Sequence, residues 1–176
     1  MKRILISRSV AIAVVLLSLL VASSSFGLAQ RNPNSANKDI PLQQIAKLPG
    51  KLLAETKTAN AGGKLKLTGY RVEEVTLPRS VTAEIRGQQV AVDRAWRVTV
   101  TGGPFPVRAL PAVIWIDDQI VGYGIENETL SQITAITFDG SLIVEGGVVS
   151  LSYGEQKEGR ARFSQKLQLK RGGQNQ

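Results

Sequence analysis

From Lys64 to Lys170 no stretch of this chain holds a 3.6-residue apolar period for three turns, which removes helix as the main building element of that region. Short runs rich in Val, Ile, Leu and Thr follow one another instead, broken by Gly, Pro and Asp. These are "KLKLTGYRVEEVTL", two runs around Arg86-Gly87 in "RSVTAEIRGQQVAVD", "RAWRVTV", "AVIWI", "QIVGYG", "SQITAITF", "SLIVEGGVVSLSYG" and "GRARFSQKLQLK". Many short strands at turn-punctuated intervals predict an all-β sandwich or barrel.

Side chains alternate along a strand, so parity assigns faces. In "RAWRVTV" the residues Trp96, Val98 and Val100 share a core side, while Arg97 and Thr99 share the other. In "RARFSQKLQLK" the apolar side holds Ala161, Phe163, Leu167 and Leu169. The opposite side carries Arg160, Arg162, Lys166 and Lys170, a basic face able to meet a polyanion or a partner. No aromatic residue is interleaved there, so base stacking has no platform and nucleic acid is not expected. "AVIWI" is apolar on both faces, which predicts a strand covered twice or one whose second face, Ile114 and Ile116, meets an apolar partner. "DDQ" after it reads as a hairpin tip.

The first 29 residues have the pattern of a secretory signal peptide: Lys2, Arg3 and Arg8, an apolar run from Val10 to Val21, then small residues ending at Gly27-Leu28-Ala29. Cleavage is expected before Gln30, giving export by the general secretory route to a periplasm or the exterior, with no transmembrane span left. Residues 30–63 are rich in Asn, Ala, Pro and Lys without an aromatic residue, and predict a flexible leader with helical turns at "PLQQIAKL" and "GKLLAETK". Residues 64–170 then form the sandwich, and 171–176 a disordered tail.

The chain has no Cys and no His. Disulfides, thiolate metal sites and every Ser-His-Asp arrangement are thereby excluded, and no cofactor or metal is expected. The formal charge of +8 is unevenly spread, since no Lys or Arg lies between Asp117 and Glu155. Calcium through Asp117, Asp118, Glu126, Asn127, Glu128 or Asp139 would need an Asp-x-Asp-x-Asp-Gly loop that is absent. The string Ser35-Ala36-Asn37-Lys38 has no partner motifs for penicillin-type chemistry.

Gly102-Gly103-Pro104-Phe105, Val113 to Gln119 and Ile133 to Phe138 together resemble the IPT/TIG domains, immunoglobulin-like β-sandwiches of the early-set type. The resemblance implies that fold, a scaffold or interaction role, and no catalytic residues. "GGPFP" then reads as a structural turn with Phe105 as a plug beneath it, since two prolines remove the amides that a phosphate loop would need. The expectation is an exported, non-catalytic binding or structural module of the bacterial cell envelope, meeting another exported protein or an anionic envelope polymer. The alternatives are a small carboxylate-dependent hydrolase of a cell-wall or secreted polymer, and a periplasmic chaperone or assembly subunit that uses strand addition.

Overall fold

The computed structural model describes residues 40–106, 110–125 and 130–170, all within one compact unit, Asn32–Gln176. The expected signal peptide and its cleavage point, residues 30–39 of the expected leader, Glu126, Asn127, Glu128 and the tail lie outside the described residues. Two antiparallel sheets pack face to face as a β-sandwich. In chain order the elements are α1 (Leu42–Lys47), β1 (Gly50–Thr56), β2 (Asn60–Gly62), β3 (Leu67–Ile85), β4 (Gln88–Gly102), β5 (Ala112–Ile116), β6 (Gln119–Tyr123), β7 (Gln132–Thr137), a 3-10 turn (Gly140–Leu142), β8 (Val149–Tyr153) and β9 (Ala161–Phe163). One sheet runs β1-β3-β4-β7 and the other β2-β9-β8-β5-β6. Among the described residues no helix is long and apolar enough to cross a membrane.

Residues 40–63 are a correction to the expected leader, because they build α1, β1 and β2. "PLQQIAKL" is helical, but "GKLLAETK" extends and pairs with β3, from Gly50 opposite Val75 to Thr56 opposite Tyr70. The composition is too polar to fold alone. A few apolar side chains, Ile40, Ile45 and Ala54, bury against the rest of the sandwich.

The core between the sheets holds Val72, Val98 and Val100 from one side, and Ile114, Ile116 and Leu151 from the other. Trp96 is half-buried against it, over Gly140, where any Cβ would come within 2.3 Å of the indole ring. A second apolar cluster lies on the far face of the first sheet, where Ile40 and Ile45 cover Val75, Val81, Ala83, Ala95 and Ile136.

Two strands are much longer than predicted. "KLKLTGYRVEEVTL" and the run before Arg86 form one strand, β3, and the run after Gly87 continues through "RAWRVTV" as β4. The join is a bulge: Thr76 pairs with Arg94 and Val81 with Val92, so Leu77 to Ser80 face Asp93 alone. Pro78, which has no amide to donate, is accommodated there. Arg86 and Gly87, both at positive φ, make the tight turn that was expected.

The "GGPFP" turn is structural. The amides of Gly102, Gly103 and Phe105 donate to the carbonyls of Ser131, Lys66 and Leu130, and Phe105 is buried in the core. "SLIVEGGVVSLSYG" enters a strand only at Val149, after the 3-10 turn.

Candidate functional site

The residues expected to bind do not gather in one place. Ile114 and Ile116 are fully buried between the sheets, and the other side of β5, Val113 and Trp115, is buried as well. The expected apolar partner strand is therefore the middle of a sheet, between β8 and β6, and offers no free face.

The basic row is corrected too. β9 ends at Phe163, so only Arg162 lies on a strand. Lys166 and Lys170 are exposed on an extended segment that crosses toward β1, where the Lys170 amide donates to the Leu53 carbonyl at 2.7 Å. Arg160 is not on a wet face at all, its side chain being 2% exposed. Its guanidinium sits 4.8 Å from the Trp115 ring centroid and donates to the carbonyls of Lys157 and Asp117, at 3.0 and 2.8 Å, and to Asp118 Oδ1 at 2.6 Å. Parity gave the right side, since Arg160 and Arg162 line the same outer face, but there Arg160 lies over Trp115 and under the β5–β6 hairpin and is covered.

The described acidic residues of the middle segment that were singled out, Asp117, Asp118 and Asp139, are likewise engaged. Asp117 Oδ1 accepts from the Val148 amide at 2.9 Å. The hydrogen bond from Arg160, helped by Lys157, holds the Asp118 carboxyl below its ordinary range. Asp139 caps the 3-10 turn through the Ser141 amide and pairs with Arg86 at 3.2 Å, tying the β3–β4 turn to the body. Tyr123 hydrogen-bonds Glu155, and burial together with that carboxylate pushes the phenol up to about 12. Among the described residues no group of acidic side chains is arranged to hold a metal ion.

A concave surface lies elsewhere, on the outer face of the four-stranded sheet below α1. It is a groove of about 560 Å³ that crosses β1, β3, β4 and β7. Its floor is built on an ion pair: Arg97 Nε and Nη2 meet Glu73 Oε2 at 2.8 and 2.7 Å. Arg71 reaches the other oxygen of Glu73 at 3.0 Å. Arg97 Nη1 donates to the carbonyls of Ala46 and Leu48, so this one side chain ties the end of α1 to the sheet. Gly50 passes directly above, and a Cβ there would stand 3.0 Å from Glu73 and 3.1 Å from Arg97. Beside the ion pair, Thr99 and Thr134 face each other across β4 and β7 with hydroxyls 3.2 Å apart, and Gln132 completes the polar floor.

Sequence parity did place Arg97 and Thr99 on a polar face. The missing signal was their partner, because the bulge at Leu77–Ser80 shifts the β3–β4 register and brings Glu73 opposite Arg97.

No family model, no curated protein and no solved structure matches this chain.

Proposed function

We propose that this chain is an exported, non-catalytic binding module of the bacterial cell envelope, built on an early-set immunoglobulin-like, IPT/TIG-type sandwich, and that the groove on its four-stranded sheet is the binding surface. The observation that carries the reading is the groove itself. A sheet face that merely needed covering would be apolar throughout, as it is beneath α1. Here the lower half of the same face keeps a buried ion pair and a row of hydroxyl and amide groups beside a wall made by α1. The Arg97–Glu73 pair is used in tying α1 to the sheet. Arg71, Thr99, Thr134 and Gln132 beside it are polar groups that holding α1 does not call on, and such a floor suits recognition.

The strand order supports the immunoglobulin-like reading. If β3, β4 and β7 are taken as strands A, B and E, then β5, β6, β8 and β9 fall in place as C, C′, F and G, with sheets A-B-E and G-F-C-C′. β1 and β2 are additions on the A and G edges. The basic and apolar pattern of residues 1–29 supports export. The hydrolase alternative gains nothing from Asp117, Asp118 and Asp139, each of which already serves a turn or an ion pair.

The test is capture of envelope and secreted components by residues 30–176, at low and high salt, beside a Thr99→Trp variant whose indole fills the groove. A component retained by the parent and lost by the folded variant supports the reading. Equal retention by both, or none by either, removes it.

A further inference from the structure

We propose that the occupant of the groove is an acidic polysaccharide, a carboxylate-bearing glycan chain lying across the strands; this rests on the binding-module reading above. Charge comes first. Glu73 is shared between Arg71 and Arg97, so its negative charge is neutralised and one positive charge remains on the floor. Lys47 and Lys57 stand exposed on the rim, and among the described residues the only other carboxylate lining the groove is Glu55. The described lining therefore carries a net positive charge, and Arg71, half exposed, keeps donors available for an incoming carboxylate.

Shape comes second. The groove crosses four strands spaced about 4.8 Å apart, so it is roughly 15 Å long. Its lining runs from Lys57, just past β1, to Gln132 on β7, and these two strands are the edges of the sheet. A chain can lie along it, where a compact ligand would fill only part.

Chemistry of the floor decides between a glycan and an acidic peptide. Thr99, Thr134 and Gln132 present hydroxyl and amide groups, each with hydrogen-bonding capacity beyond the bonds they make to one another. An extended peptide would ask for a free strand edge or for side-chain pockets. The groove lies on a sheet face, and its described apolar lining is Ala46, Leu48, Tyr70 and Ile125, with no deep side-chain pocket among them. Hydroxyl-rich ligand and hydroxyl-rich floor match.

The experiment is calorimetric titration of residues 30–176 at moderate salt with three probes: an α-1,4-linked galacturonate tetramer, a neutral galactose tetramer and tetraglutamate. The expected result is saturable binding of the galacturonate alone. Lys57→Glu and Arg71→Gln should each weaken it about tenfold, the worth of one charge-assisted hydrogen bond, while Arg162→Ala leaves it unchanged. Lys57 is exposed, and in Arg71→Gln the Glu73 carboxylate keeps Arg97, so neither variant should unfold the protein. No galacturonate binding, equal binding of tetraglutamate or of the neutral tetramer, or sensitivity to Arg162 in place of the groove residues overturns the proposal. The capture experiment with Thr99→Trp separates the two failures. Groove-dependent capture without galacturonate binding removes the ligand class and keeps the module; loss of both removes both.

Discussion

Arg160 shows how much one side chain can be asked to hold. It sits on the indole of Trp115, whose Nε1 donates to Ser152 at 2.8 Å, and Ser152 donates in turn to the Gly154 carbonyl at 2.7 Å. Arg160→Ala removes three hydrogen bonds and the cation–π contact from a water-excluded place, and is expected to destabilise the fold by about 2–4 kcal/mol in urea denaturation. Arg160→Lys should recover less than half of that, because an ammonium cannot stack and serve three divergent acceptors together. Asp118, its exposed ion-pair partner, supplies a pH-dependent part. A carboxyl whose pKa is lower folded than unfolded contributes stability above its ordinary value of 3.8, and loses it as pH falls through the depressed one. The parent should therefore melt above Asp118→Asn at pH 6, with the gap closing as the pH falls below 3.8 and through the depressed value. Parity gives such a residue its side but not its cover; nothing in "EGRARF" tells that the Trp115 ring and the β5–β6 hairpin close over Arg160.

At the scale of elements, the decisive contact is between α1 and the four-stranded sheet. Apolar burial of Ile45 places the helix, and Arg97 fixes its end by bonding the carbonyls of Ala46 and of Leu48, just past the helix, while paired with Glu73. A buried ion pair of this kind is costly to break and cheap to replace. Arg97→Met alone, which leaves Glu73 with only the exposed Arg71, is expected to cost about 2–4 kcal/mol. The double variant Arg97→Met with Glu73→Leu should lie closer to the parent. Denaturation of the three proteins checks this, and a double variant as unstable as the single one would mean that the carbonyl bonds, not the charge pair, hold the helix. Strand identities were legible in the alternation of "RAWRVTV" and in the short apolar or β-branched runs "AVIWI" and "SQITAITF", each of which lies in or holds a strand. Strand pairing was not. Counting back from the Arg86-Gly87 turn sets Glu73 against Val100, and only the bulge restores it to Arg97. A bulge is a compromise between two registers of burial, and single-strand patterns carry no record of it.

At the scale of the whole molecule, one side of the sandwich is closed by chain that lies far apart in sequence. β1 and β2 carry residues 50–62 from the edge of one sheet to the edge of the other, and the segment after β9 crosses back over them. Thr56 and Thr58 both donate to Gln165, Ser164 donates to the Ala59 carbonyl, and Tyr70 donates to the Lys166 carbonyl. Beneath this seam Tyr70 meets Phe163 edge to face at 5.0 Å, and Leu167 is fully buried. The sequence boundary at Lys64 cuts through this closure. A fragment of residues 64–170 loses α1, β1 and β2 and leaves Val75, Ala83, Ala95 and Ile136 uncovered. Each buried aliphatic side chain given up, Ile40 and Ile45 included, is worth about 1.5–3 kcal/mol, against a total stability of roughly 5–15 kcal/mol for a domain. The fragment 64–170 is thus expected to show no cooperative melt, whereas 40–170 melts as one unit. In the longer fragment Leu167→Ala, which empties the seam from the other side, should cost about 2–5 kcal/mol. A cooperative transition in 64–170 would place the folding unit where the composition alone puts it, and would make the first strands a later addition to a self-sufficient sandwich.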